Sequence, residues 1–321
     1  MLAALDKGVK GGVWFSLADK VYRPTTLAAA WERVRSNAGS AGADGQSVRE
    51  FGAQAERHLR RLHEELRAGA YRPRPVKRVW IDKPGSRQKR PLGVPAVRDR
   101  VVQTALRLVI EPIFEREFAP RSYGFRPGRG CKDALRRVDE LLREGYVWVV
   151  DADLKGYFDS IPHGPLMDDV RKRIADGRVL GLIEGYLQQG VLEDMKLWTP
   201  ESGTPQGAVI SPLLANLYLH PVDAAMARAG YEMVRYADDF VVLCRSRQEA
   251  EAALEAARRM AEARGLTLHP DKTHVGDCTV EGQGFEFLGY RFEAGKRWVR
   301  KKSLKALRDR IREKTGRSRG D

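Results

Sequence analysis

The 321-residue sequence predicts an α+β fold, with an antiparallel sheet and helices packed behind it. Two observations carry that prediction. The middle of the chain reads as strand, helices, acidic β-hairpin, helix, small hairpin. Within it, residues 234–243 (VRYADDFVVL) set two adjacent carboxylates, Asp238 and Asp239, between apolar, β-prone runs, which marks a hairpin with acids at its tip. Neighbouring side chains in a strand point to opposite faces, so only a turn lets both acids approach one site. Two carboxylates at one point repel unless a cation sits between them. An ordinary acidic turn is the alternative reading of the pair alone.

The bulk numbers bound the function. The length suits two or three domain-sized lobes, and 42% hydrophobic residues suffice for a packed core. A formal charge of +14 points to a polyanionic partner, nucleic acid before membrane. Residues 296–321 alone carry a net +9. Cys131, Cys244 and Cys278 lie far apart, with no zinc-ligand spacing, and such sparse usage suits a reducing compartment. No apolar run approaches membrane-spanning length and the first ten residues lack a signal-peptide core, so a cytoplasmic protein with no membrane partner is expected.

Residues 11–16 open an N-terminal segment, and 25–36 read as a helix with Leu27, Trp31 and Val34 on one face. A Gly-rich loop follows at 37–47, then one basic amphipathic helix over 51–66. Residues 72–90 hold eight Lys/Arg against Asp82, with a strand at 76–81 and a turn at Pro84-Gly85, a basic hairpin suited to phosphates. Apolar residues at 97, 101, 105 and 109 mark a buried helix ending at Glu111, before Pro112. The loop 121–130 (RSYGFRPGRG) mixes arginines, aromatics and glycines, a composition suited to single-stranded nucleic acid. Leu135, Val138 and Leu142 mark the next helix, and 146–153 (YVWVVDAD) a strand with Asp151 and Asp153 on one face. Ser211 and Pro212 read as N-cap and first residue of a helix whose apolar face includes Leu213, Leu214 and Leu217. After the acidic hairpin, 248–264 is a helix with Leu254, Ala257 and Met260 inward. His269 to Thr273 is a loop, 285–292 and 297–299 form a hairpin around 293–295, and a basic helix begins near Ser303.

A strand-end acid at Asp153 and the tip pair can meet on adjacent strands. Three carboxylates around two Mg²⁺ ions ~3.5–4 Å apart provide what in-line phosphoryl transfer needs. Mg²⁺ favours a few carboxylates plus substrate phosphates.

Six blocks, in order, extend this reading: 83–95 (KPGSRQKRPLGVP), 122–129 (SYGFRPGR), 153–159 (DLKGYFD), 204–216 (TPQGAVISPLLAN), 236–239 (YADD) and 287–290 (FLGY). On these blocks the sequence resembles the reverse transcriptases encoded by bacterial group II introns, across nearly its whole length. The resemblance implies a right-hand polymerase fold of fingers and palm. An N-terminal extension and fingers would occupy 1–145, with 160–205 partly a fingers or palm insertion, the palm 146–295, and the basic start of a thumb 296–321. Most of the thumb is expected to be absent.

The implied activity is RNA-directed DNA polymerisation with two Mg²⁺ ions, Mn²⁺ being an alternative. Asp153, Asp238, Asp239 and the Leu154 carbonyl would bind metal. Asp151 is the rival on the same face, but it lies seven residues before Phe158, whereas the family's acid lies five before its aromatic. Phe158 would sit beneath the incoming sugar and exclude a 2′-hydroxyl. Lys83 and Arg90 would hold the triphosphate, Gln206 would contact the nucleotide, and Lys272 would protonate the leaving pyrophosphate. Arg121, Tyr123, Phe125, Arg126 and Arg129 would meet template or primer, and Leu288, Gly289 and Tyr290 would belong to the primer grip. The implied partners are an RNA template (intron RNA), a DNA or RNA primer and dNTPs, in a bacterial cytoplasm; a homodimer is left open. The alternatives are a non-enzymatic maturase that binds its intron RNA, and a defence- or CRISPR-associated enzyme on the same scaffold. The intact acids, Phe158 and Gln206 favour the polymerase, because RNA binding alone does not require them.

Overall fold

The computed structural model describes residues 12–82 and 89–315. The first helices are α1 (Ala18–Val21), α2 (Pro24–Asn37), α3 (Val48–Ala53) and α4 (Ala55–Arg67). The single helix expected over 51–66 is therefore two. A capping box at Ser47 and Glu50 starts α3, and the chain turns at Gln54 (φ −132°). Phe51 stays packed between Trp31 and His58, at ring centroid distances of 4.9 and 4.6 Å. Strands β1 (Val76–Asp82) and β2 (Lys89–Val94) follow as the expected antiparallel pair.

Helix α5 (Val97–Glu115) runs through Pro112 instead of stopping before it. An interior proline costs about 3 kcal/mol. Burying Ile113 and Phe114 returns about 1.5–3 kcal/mol for each side chain, enough to keep the last turn helical. Next come α6 (Cys131–Arg143), β3 (Trp148–Asp153), α7 (Tyr157–Ser160), α8 (His163–Arg171) and α9 (Gly177–Leu187). Strands β4 (Val191–Glu193) and β5 (Lys196–Trp198) were not legible in the sequence, being three residues each, with β5 wholly exposed. β4 adds to β1 in parallel, giving a four-stranded sheet ordered β2-β1-β4-β5.

The central sheet is ordered β6-β7-β3-β8, antiparallel throughout, from β3, β6 (Glu232–Tyr236), β7 (Asp239–Cys244) and β8 (His274–Asp277). Both of its faces are buried. Val150, Ala152, Phe240 and Val242 join the large core with α10 (Ser211–Arg228) and α11 (Arg247–Glu262). Val149, Val234, Val241 and Leu243 join a second core with Leu135 and Val138 of α6 and with Phe285, Phe287 and Phe292. That is the antiparallel sheet backed by helices that the sequence predicts.

Helix α10 begins with Ile210 at its N-cap and not Ser211. The Ser211 hydroxyl instead donates to the Pro205 carbonyl at 2.9 Å, tying the preceding loop to the helix. On α11 the buried face is alanine (Ala250, Ala253, Ala256, Ala257, Ala261), with Leu254 and Met260 only partly buried beside it. Residues 285–292 are not one strand. Leu288 (φ 48°) and Gly289 (φ 85°) make a two-residue turn between β9 (Phe285–Phe287) and β10 (Tyr290–Glu293). Positive φ at both central positions is what a tight hairpin requires. β11 (Lys296–Val299) completes that small sheet, and α12 (Lys301–Thr315) buries none of its residues. Among the described residues, no helix is long and apolar enough to cross a membrane.

Candidate active site

Register on the central sheet assembles the acids. β3 and β7 run antiparallel, and their last pair sets Asp153 directly opposite Asp239. β6 and β7 close with Tyr236 opposite Asp239, so Ala237 and Asp238 form a two-residue turn. Asp238 therefore lies at the tip and Asp239 opens β7, beside Asp153. Like charges directly opposite on paired strands destabilise one another. Burial is the main force raising the pKa of Asp239 to about 8, reinforced by Asp151, Asp153 and Asp238. Burial likewise raises Asp238, with Asp153 adding to it and Lys272 and Arg235 opposing. Asp151, two residues back on β3, is raised to about 6, again chiefly by burial. The rival acid is thus a real neighbour of the cluster.

Among the described residues, no group of three or more His, Cys, Asp or Glu stands in a ready-made metal-binding arrangement. The chemistry of the donors nevertheless fits a divalent cation. Asp238 and Asp239 are held towards protonation chiefly by burial and then by neighbouring carboxylates, and a cation among the acids relieves that penalty. The Lys272 ammonium already ion-pairs with Asp153. Leu154 is buried and bridged to Leu268, while the Asp153 carbonyl accepts from His269 N at 2.7 Å.

The segment 203–207 straps the aromatic to the first sheet. Gly203 (φ 88°) lies so close to α7 that a Cβ would stand 2.8 Å from Phe158 O. Thr204 N donates to the Phe158 carbonyl at 2.7 Å, and Gly93 N donates to the Gln206 carbonyl at 2.6 Å. Phe158, Gln206 and β2 therefore converge, and Arg90 sits exposed on β2 opposite Ile81. Phe158 is half-buried, edge-on to Phe125 at 6.3 Å. Lys83 lies outside the described residues.

The arginines of the 121–130 loop are used internally. Arg126 is 6% exposed. Its guanidinium grips Glu115 at 2.6 Å and the Ala119 and Ser122 carbonyls at 2.6 and 2.8 Å. Arg121 ion-pairs with Glu232, and Arg129 donates to the Pro120 carbonyl while lying over the Tyr123 ring. A charge run does not reveal which of its members also find partners inside the protein; here all three arginines do, and Arg121 and Arg129 remain half-exposed. Phe125 is 44% exposed with φ 60°, and Tyr123 is half-buried. At the small sheet, the Gly289 carbonyl accepts from Arg300 N at 2.9 Å, and Arg297 lies over the Tyr290 ring at 5.2 Å. Leu288 is partly buried in the second core.

Sequence reasoning missed the group beneath the turn. Arg235, Asp223, Asn216 and Ser122 are all buried polar residues directly under Ala237. The signal was present: Arg235 interrupts an apolar strand immediately before Tyr236.

The sequence profile described as reverse transcriptase (RNA-dependent DNA polymerase) matches residues 81–292, which takes in all of these acids. The chain belongs to that family. Protein YkfC of Escherichia coli (strain K12) is 35% identical over 315 residues, covering 84% of this chain and 81% of YkfC. The group II intron-encoded protein LtrA of Lactococcus lactis subsp. cremoris is 38% identical over 208 residues, covering 63% of this chain and 33% of LtrA. Among solved structures, a telomerase from Candida albicans superposes with a TM-score of 0.55 at 12% identity. That match covers 80% of this chain and 50% of the telomerase, and it shows the fold alone. As a member of the reverse transcriptase family, the protein is an RNA-directed DNA polymerase, and the acid cluster lies within the matched region.

Proposed function

We propose that the chain is a polymerase of the group II intron type, extending a primer 3′-hydroxyl with dNTPs on an RNA template. The observation that carries this is the meeting of Asp153 and Asp239 across paired strands with Asp238 on the adjoining turn. The identity with the intron-encoded LtrA supports the intron role. In this reading helices α1–α6 with β1 and β2 act as N-terminal extension and fingers, residues 146–295 as palm with 160–205 partly an insertion, and β11 with α12 as the start of a thumb. The exposed Lys301, Lys302 and Lys305 on α12 suit an RNA or hybrid backbone.

Asp153, Asp238 and Asp239 would hold two Mg²⁺ ions, with the Leu154 carbonyl as a further ligand. Bound there, the ions would acidify the attacking hydroxyl and neutralise charge on the departing pyrophosphate. Arg90 would hold the triphosphate from β2, and a planar guanidinium can do so with two parallel bonds. Lys272 would leave Asp153 and give its proton to the pyrophosphate oxygen. Gln206 would contact the nucleotide beside Phe158, and residues 287–290 would grip the primer.

Primer extension on an RNA template with Mg²⁺ and dNTPs tests the reading. Product ladders of template length support it. RNA binding without any extension would leave the maturase reading in its place.

Phe158 would set the choice of sugar. In Phe158→Ala, rNTP incorporation relative to dNTP is expected to rise by about 10²-fold, the order of effect when pocket contacts alone discriminate. An unchanged ratio would make Phe158 only a packing residue of the core.

Gly124 should be intolerant of any side chain. A Cβ there would stand 2.3 Å from Ala237 N, inside the turn that carries Asp238. Displacing a reacting group by ~1 Å costs about 10²-fold in rate. Gly124→Ala is therefore expected to lose extension on that scale while still binding primer–template in a gel-shift assay. Wild-type extension rates would show that the turn has room to move without consequence.

A further inference from the structure

We propose that Arg235 is a positioning residue, which clamps the Ala237–Asp238 peptide and so aims the Asp238 carboxylate. This rests on the polymerase reading of the acid cluster. Arg235 is among the largest fully buried side chains of the protein, 2% exposed. A guanidinium has five N–H donors in a planar fork, and here each has an acceptor. Nε donates to Asp223 Oδ1 at 2.7 Å and Nη2 to Asp223 Oδ2 at 2.5 Å. Nη2 also donates to Ser122 Oγ at 2.8 Å. Nη1 donates to Asn216 Oδ1 at 3.0 Å and to the Ala237 carbonyl at 2.7 Å.

Only the last of these acceptors belongs to the turn. The Ala237 carbonyl is part of the planar peptide unit leading into Asp238, so holding that oxygen sets the orientation of the whole unit. Ala237 itself is at φ 60°, a conformation that non-glycine residues hold only when their surroundings impose it.

The other acceptors set the guanidinium in place from separate parts of the chain. Asp223 and Asn216 come from α10. Ser122 comes from the segment that pairs alongside β6, with Tyr123 N donating to Arg235 O at 2.9 Å and Arg235 N to Arg121 O at 3.0 Å. Asn216 acts twice, because its Nδ2 also donates to the Gly124 carbonyl at 2.8 Å. Gly124 lies against the backbone of Tyr236 and Ala237. The turn is thus held from one side by a packed glycine and from the other by a fully bonded guanidinium, and Asn216 links the two. A buried ion pair of this kind is a poor source of stability compared with apolar side chains. Its contribution here is a fixed geometry one residue from a catalytic acid.

The test uses the full chain, the single variants Arg235→Lys, Asn216→Ala and Ser122→Ala, and the double variant Arg235→Lys/Ser122→Ala. Four quantities are read: kcat and KM for dTTP on an oligo(dT)-primed poly(rA) template, the melting temperature, and Mn²⁺ binding. Binding is followed by loss of the free Mn²⁺ signal in electron paramagnetic resonance, with the primer ended in a dideoxynucleotide so that no turnover occurs.

Arg235→Lys is expected to lower kcat by about 10²-fold and to weaken Mn²⁺ binding by about tenfold, the range seen when groups that orient metal ligands are removed. KM for dTTP should stay unchanged. Asn216→Ala and Ser122→Ala should show smaller losses, in that order. Ser122→Ala should add nothing to Arg235→Lys, because the Ser122 hydroxyl acts on the turn only through the guanidinium. Should Arg235→Lys fail to fold, the same comparison of kcat with Mn²⁺ affinity in the other two variants decides the matter. Activity losses that follow the melting temperature with Mn²⁺ affinity intact would overturn the proposal, as would additive losses in the double variant. A wild-type protein that neither extends a primer nor binds Mn²⁺ would overturn the polymerase reading itself.

Discussion

Asp238→Ala is expected to reduce primer extension by at least about 10³-fold, since a lost metal ligand removes several kcal/mol of transition-state stabilisation. The same substitution should not destabilise the fold. Burial and neighbouring carboxylates raise the pKa of Asp238, and that of Asp239 to about 8. For acids whose folded pKa is raised, the folded state favours the proton. Their contribution to stability is then greatest at low pH and falls as pH rises from the ordinary aspartate range through the folded value. At pH 7.5 without divalent ions, removing one carboxylate relieves repulsion, so the variant should melt at the same temperature as the wild type or above it. Activity and stability would then move in opposite directions, as they do where a site holds strained groups for function. Extension at the wild-type rate would refute the assignment of Asp238 as a metal ligand.

The second large effect concerns stability alone. Asp176→Ala should destabilise the protein by about 2–3 kcal/mol, from two lost helix caps at roughly 0.5–2 kcal/mol each. Asp176 Oδ2 accepts from Leu17 N and Ala18 N at 2.7 and 2.8 Å, at the start of α1. Its Oδ1 accepts from Arg178 N and Val179 N at 3.0 and 3.2 Å, at the start of α9. Burial by itself would raise this carboxyl, but the four backbone bonds outweigh it and hold the pKa below the usual aspartate value. A depressed folded pKa contributes stability that is complete above the unfolded value and is lost as pH falls through the folded one. The difference between wild type and variant in urea midpoint should accordingly be full at neutral pH and shrink below about pH 4. An unchanged midpoint at pH 7 would mean that Leu17 and Val21, both buried, dock the N-terminal segment without help from the cap.

The legible parts of this protein were those whose cause is local. The turn between two apolar strands placed Asp238 at the hairpin tip, with Asp239 opening the next strand instead of sharing the turn. Period-two alternation put Asp151 and Asp153 on one face, and both lie at the acid cluster. The failures were also local in origin. Pro112 and Ser211 carry strong helix-boundary signals, yet burial of Ile113 and Phe114 overrode the first and the Pro205 carbonyl drew away the second.

The sequence by itself determined the α+β class, the strong positive charge and the identity of the residues that could carry the chemistry. It did so because helix and strand periodicity, turn residues and charge are properties of short windows. Tertiary structure alone decided which of those residues meet. The β3–β7 register brought Asp153 opposite Asp239, across more than eighty residues of chain. Packing also sorted the arginines, which look alike in a sequence. Arg90 stayed exposed, whereas Arg126 and Arg235 were taken inside to Glu115 and Asp223. A buried charge is tolerated only where its partners are already in place, and those partners come from distant segments that no local pattern can announce.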